Sequence, residues 1–207
     1  MQDRDFDAFK EASQYFVEVV GAVPSTSWDL PGLGEWTIKE LVGHTNRANV
    51  IIVDYLERPQ RAEPADSTYF TDENIAQRGR DAVEQLGDDP YAAVAAASER
   101  AIALVQRTPS GAAVGSPMGT MKLSDYLPSR TAELTIHGLD LARALNLELV
   151  APSEALRASL AYVAGFSMRR NQGETVLFAL SGRGELPSGF NVYWPPTFNG
   201  VGATPRV

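Results

Sequence analysis

Apolar residues recur at helical spacing along most of this chain. Phe6, Phe9, Tyr15, Phe16 and Val19 put one stripe on a segment from about Asp5 to Val20, the first predicted helix. A Pro- and Gly-rich loop follows, from Pro24 through Trp28, Pro31 and Gly32 to Gly34. The second helix opens at Thr37-Ile38-Lys39-Glu40. This is a capping box: the Thr hydroxyl accepts from the amide three residues on, and the Glu carboxylate accepts from the cap amide. That helix continues to about Glu57 and stops before Pro59. Gln60 to Ser67 is a loop. Helical character resumes near Thr71, falters at Gly87-Asp88-Asp89-Pro90 and runs again from Tyr91 to about Arg107. Periodicity leaves open whether this is one kinked helix or two. Gly111 to Gly119 reads as loop. A fourth helix runs from near Ser124 to around Asn146. A fifth runs from Pro152 to about Arg170, with Pro close to its first position and Glu154 in its first turn. Thr175 to Leu180 and Phe190 to Trp194 read as two strands, and the Pro- and Gly-rich end from Pro195 to Pro205 as irregular. The pattern predicts a mainly α protein: an up-down four-helix bundle over residues 1–148, then a fifth helix and a small C-terminal β unit over residues 149–207.

Composition narrows the function classes. The chain has 207 residues, 44% hydrophobic and 21% charged, enough to bury a real core. Its net charge of −8 repels phosphate backbones, so no nucleic-acid partner is expected. The longest apolar-leaning run, Tyr91 to Val105, is broken by Ser98, Glu99 and Arg100 and falls short of the roughly 20 residues of a membrane span. No membrane partner is expected either. The acidic start, Met1 to Asp5, has no apolar stretch behind it, which predicts a cytoplasmic protein. With no cysteine, any metal site must be built from His and carboxylates.

The two histidines, His44 and His137, both fall inside predicted helices with their phase inward. His44 shares a face with Leu41, Ala48, Ile51, Ile52 and Tyr55. On the fourth helix Tyr126, Arg130, Glu133, His137 and Asp140 form one polar stripe, with Leu123, Leu127, Leu134, Leu141 and Leu145 beside it and Ile136 and Leu139 on its other side. Ionisable groups turned inward must be paired or must coordinate something. Glu133 and His137 stand one helical turn apart and can reach one ion; His44 from a facing helix would complete two imidazoles and a carboxylate. Three protein ligands leave a coordination position open, the arrangement of a catalytic site. Against this, Glu-x-x-x-His pairs are common as surface ion pairs, and a lone His on an apolar face is more often a satisfied core residue.

Two segments carry a resemblance. Trp28-Asp-Leu-Pro-Gly-Leu-Gly-Glu-Trp-Thr-Ile-Lys-Glu-Leu-Val-Gly-His44 and Glu133-Leu-Thr-Ile-His-Gly-Leu-Asp-Leu-Ala-Arg-Ala144 resemble the two signatures of the mycothiol-dependent maleylpyruvate isomerase family, within the wider DinB-like superfamily. The resemblance covers roughly the first 145 residues. It implies a DinB-like bundle with His44, Glu133 and His137 as ligands of one divalent metal. Zinc suits such donors best, with nickel and manganese as alternatives.

The function expected from these readings is a metal-dependent enzyme that activates a low-molecular-weight thiol, with mycothiol as co-substrate, for S-transfer to a small electrophile or for its isomerisation. The alternatives are a metal-dependent hydrolase and a non-enzymatic metal or small-molecule binding protein. Arg130 is a candidate anchor for a substrate carboxylate or a member of an ion pair. Asp140 is a candidate to orient His137 or to cap a neighbouring helix. Tyr126 reads as packing, and Trp28 and Trp36 as loop anchors. The expected assembly is a monomer or a homodimer.

Overall fold

The computed structural model describes residues 2–59 and 67–193. Among them are seven α-helices: α1 (Gln2–Gly21), α2 (Ile38–Glu57), α3 (Asp72–Glu84), α4 (Pro90–Arg107), α5 (Leu123–Ala144), α6 (Ser153–Arg169) and α7 (Gly173–Leu180). Two antiparallel hairpins accompany them, β1 (Pro31–Leu33) with β2 (Trp36–Thr37) and β3 (Ala113–Ser116) with β4 (Gly119–Lys122). The mainly α class and the four long bundle helices agree with the sequence pattern. Chain contacts divide the protein into two compact units, one ending at Ser159 and one beginning at Leu160.

In the first unit, α1 and α2 each pack on both α4 and α5, and the ring runs α1–α5–α2–α4. Contacts at both ends of each seam fix the directions. Tyr55 meets Tyr126 with ring centroids 5.8 Å apart, and His44 meets His137 at 5.2 Å, so α2 and α5 are antiparallel. Phe6 shares a cavity with Leu123 and Leu127, while Tyr15 lies against Gly138, so α1 and α5 are parallel. Ser13 bonds Ser98 at 2.8 Å and Gly21 abuts Tyr91, so α1 and α4 are antiparallel. The up-down pair α1–α2 is therefore followed by a down-up pair, α4–α5. The long connection through α3, which packs on α2, gives the chain room to return parallel to α2.

The core is built from the predicted stripes. Phe9, Phe16, Val19, Leu41, Ile52, Leu134 and Leu141 are fully buried. At its centre Ser13 Oγ donates to Asn49 Oδ1 at 2.8 Å, so this buried polar contact joins α1 to α2 across the ring.

Local differences from the sequence pattern have physical causes. The helical stretch after Thr71 is two helices: Gly87 takes φ +59°, Asp89 accepts from the Ala92 amide at 3.0 Å, and Pro90 opens α4. Parts of the expected loops pair as hairpins, because strands of two to four residues are too short to announce themselves by alternation. The predicted loop from Gln60 falls, up to residue 66, outside the described residues, as do Trp194 and the Pro- and Gly-rich end.

In the second unit the expected strand Thr175 to Leu180 is a helix, α7, and no strand forms over residues 190–193. The C-terminal β unit is thus corrected. A short apolar run has no distinctive period, and a strand needs a partner for its backbone groups. As a helix the segment satisfies its own, with Val176 N–H donating to Gln172 C=O at 3.1 Å. Asn171, at φ +56°, ends α6, and the Gln172 amide donates back to Ser167 C=O at 2.8 Å. Tyr162, Phe166 and Tyr193 stack edge-on with centroid spacings of 5.1 Å.

Candidate metal centre

One helix start, that of α2, and one helix middle, that of α5, build the centre. The capping box forms as expected: the Thr37 amide donates to Glu40 Oε2 at 2.8 Å and the Glu40 amide to Thr37 Oγ1 at 3.2 Å. The next two amides of α2 are taken by the preceding loop, Ile38 N–H donating to Leu30 C=O and Lys39 N–H to Trp28 C=O, each at 2.9 Å. Loop and helix are locked before His44 is reached. The β1 strand then packs on both α2 and α5.

The structure brings His44, Glu133 and His137 together, with one donor atom from each lying within 4.8 Å of the others. Glu133 Oε2 is 3.5 Å from His137 Nε2 and 3.9 Å from His44 Nε2. Around a tetrahedral ion with bonds near 2.0–2.1 Å, neighbouring donors stand roughly 3.3 Å apart. The spacing fits one ion after small side-chain adjustments. The imidazoles are 18% exposed and the Glu133 side chain 39%, so the trio opens to solvent on the carboxylate side.

Asp140 meets His137 from behind. Its Oδ2 lies 3.1 Å from His137 Nδ1, which leaves Nε2 facing the trio. A carboxylate at Nδ1 favours a proton on that nitrogen. Arg130, one turn before Glu133, donates from Nε to Ser129 Oγ at 3.1 Å and lies over the Tyr126 ring at 5.0 Å.

Charge states follow from these neighbours. Burial pulls His44 down and repulsion from His137 adds to it, bringing it to about 4. Burial pushes Glu133 up, but the hydrogen bond and charge of His137, with the charge of Arg130, outweigh it and lower the carboxyl. Burial pulls His137 down, yet its hydrogen bonds to Asp140 and Glu133 reverse the sign and raise it. At neutral pH His44 is a neutral imidazole with a lone pair to give, and Glu133 is a carboxylate. An ion at His137 Nε2 would have to displace a proton from it.

Trp36, expected from the sequence as a loop anchor, also meets the centre. The Trp36 ring lies on His44, centroids 4.4 Å apart at 38°. A signal was available. Trp36 directly precedes the cap Thr37, the position whose side chain folds back over the first turns of a helix.

A family model, the mycothiol maleylpyruvate isomerase N-terminal domain, matches residues 9–142. The chain belongs to that family. Among solved structures, the chain is similar to one described as the crystal structure of the mycothiol-dependent maleylpyruvate isomerase. The TM-score is 0.61 at 16% identity, with 81% of this chain and 70% of that chain covered. At that identity the likeness shows the fold, which is the DinB-like helical arrangement expected from sequence. No curated protein matches the sequence. As a member of the mycothiol maleylpyruvate isomerase N-terminal family, the chain carries all three clustered donors inside the matched span. No helix among the described residues is long and apolar enough to cross a membrane.

Proposed function

We propose that this protein is a metalloenzyme that activates a low-molecular-weight thiol, mycothiol by family, for S-transfer to or isomerisation of a small electrophile. In this reading the bundle over residues 1–148 is the metal-binding domain and residues 149–207 an appendage. The protein works in the cytoplasm on small molecules, as a monomer or homodimer. The observation that carries the reading is the convergence of two imidazoles and one carboxylate from α2 and α5, with donor atoms within 4.8 Å and one side open. His44, Glu133 and His137 would hold one divalent ion, zinc by donor type. Such an ion supplies Lewis acidity, which lowers the pKa of a thiol that meets it.

The chain's own residues divide the remaining work. Asp140 holds the His137 imidazole so that Nε2 faces Glu133, where it would bind the ion. Arg130 sits one turn from Glu133, where its guanidinium anchors a substrate carboxylate. The chain has no cysteine, so the reacting sulfur comes from outside.

Elemental analysis of the purified protein tests the first step, with about one divalent ion per chain expected. In cobalt-substituted protein, added thiol should raise a sulfur-to-cobalt charge-transfer band. An unchanged cobalt spectrum at millimolar thiol would remove the thiol mechanism. Turnover with water alone, in a screen of thiol-plus-electrophile pairs, would make the protein a hydrolase instead.

A further inference from the structure

The two histidines of the centre are held in different ways. His137 Nδ1 has the Asp140 carboxylate at 3.1 Å. His44 Nδ1 is buried and has no hydrogen-bond partner among the described residues. A histidine with neither nitrogen tied can rotate about its last side-chain bond, and a site that depends on one nitrogen then loses its aim. Something else must fix the ring.

The Trp36 indole lies against it, with centroids 4.4 Å apart and planes inclined by 38°. The indole is itself held from the other side. A Cβ built on Gly79 of α3 would lie 3.2 Å from Trp36 Cζ2 and 3.3 Å from Cε2, so the α3 backbone touches the ring where any larger residue would press on it. The backbone of Trp36 is fixed as well, because Trp36 pairs with Leu33 across the β1–β2 hairpin and the next residue is the cap of α2. The indole is thus a wedge between α3 and His44, and an aromatic contact of this kind has a defined geometry.

We propose that Trp36 is the positioning residue of His44, fixing the plane of the imidazole by ring packing in place of the hydrogen bond that Asp140 gives His137. The inference rests on the reading of His44 as a metal ligand only for its consequence, not for the contact itself. Gly79 belongs to the same device, since its missing side chain gives the indole its seat.

The test has a readout that needs no metal. With two histidines in the chain, proton NMR of the metal-free protein shows two imidazole sets, assigned with His44→Gln and His137→Gln. The His44 ring protons should be displaced by the indole ring current. Trp36→Leu should abolish that displacement, Trp36→Phe should keep part of it, and the His137 signals, one ring further off, should move much less in both. Gly79→Ala pushes the indole from the opposite side and should shift the His44 signals while Trp36 is still present. Circular dichroism confirms that each variant is folded. Zinc titration then reads the consequence: Trp36→Leu should bind roughly tenfold to hundredfold more weakly than wild type, with Trp36→Phe between them. His44 signals that do not move in folded Trp36→Leu or Gly79→Ala would overturn the proposal. A wild type with Trp36-dependent His44 signals but no zinc uptake would instead overturn the metal reading and leave the clamp standing.

Discussion

The α5 side and the α2 side of the centre solve one problem by opposite means. On α5 everything needed is local: Glu133, His137 and Asp140 lie within two turns of one helix, and a carboxylate orients the imidazole at 3.1 Å. On α2 no side chain among the described residues bonds His44 Nδ1, and support for the ring comes from a different element, through the tilted Trp36 ring. A hydrogen bond sets one atom of the ring and its proton. Ring packing sets the plane and leaves the proton unassigned. The comparison teaches that a donor set can be rigid on both sides while only one side is written in the spacing of polar residues.

The largest expected effect comes from removing the donors themselves. Replacing His44, Glu133 or His137 by Ala should weaken metal binding by more than the roughly 10–100-fold typical of a supporting residue. Near-stoichiometric metal in purified His44→Ala would confine the site to α5 and end the comparison. Next is removal of the ion. The bundle buries its own core, so chelation should cost only the linkage energy, about 4 kcal/mol at a thousandfold excess of metal over Kd. Chelated protein should keep its helical dichroism and melt cooperatively at a lower temperature. Loss of helix on chelation at 25 °C would show that the two sides are held together by the ion and not by their supports.

Asp140→Ala should weaken zinc binding by about 10–100-fold, and the double variant with Trp36→Leu sharpens the comparison directly. If the two supports act on separate ligands, their free energies should add, since independent sites couple by no more than about 0.5 kcal/mol. Strong non-additivity would mean that the two imidazoles are positioned as one unit. The smallest effect lies outside the centre. Hydrogen bonds from Arg4 and then Arg157 lower Glu154 from 4.5 to about 2. A depressed carboxyl stabilises the folded state above its unfolded value and loses that contribution as pH falls toward the folded value. The melting temperature of wild type should exceed that of Glu154→Gln near neutral pH, and the gap should close between pH 4.5 and 2. Salt should shrink it, because the group is exposed.

Much of this molecule is legible in its sequence because inward faces announce themselves by period. Leu41, Ile52, Leu134 and Leu141 are all fully buried, as their phase requires. The same phase put His44 and the Glu133–His137 pair on inner faces. Period does not say which helix a face meets, so the ring order and the parallel return of α4 were not readable. Nor was the contact of Trp36 with His44, which joins residues eight positions apart on different elements. The α7 helix was misread for a related reason: Val176, Leu177 and Phe178 favour a strand only if another strand is there to receive them.

If the proposed trio holds an ion, the antiparallel seam of α2 and α5 bears on how the protein matures. His44 leaves the ribosome well before Glu133 and His137, and α3 and α4 are made in between. A nascent or stalled chain ending before α5 carries a single imidazole and can retain an ion only weakly. A chain that has α5 but has not docked it on α2 offers only the two donors of one helix. Closing that long segment is the entropically expensive, non-local step of the bundle. Full affinity appears only when it is complete. On the ligand set proposed above, metal occupancy would report that α5 has docked on α2.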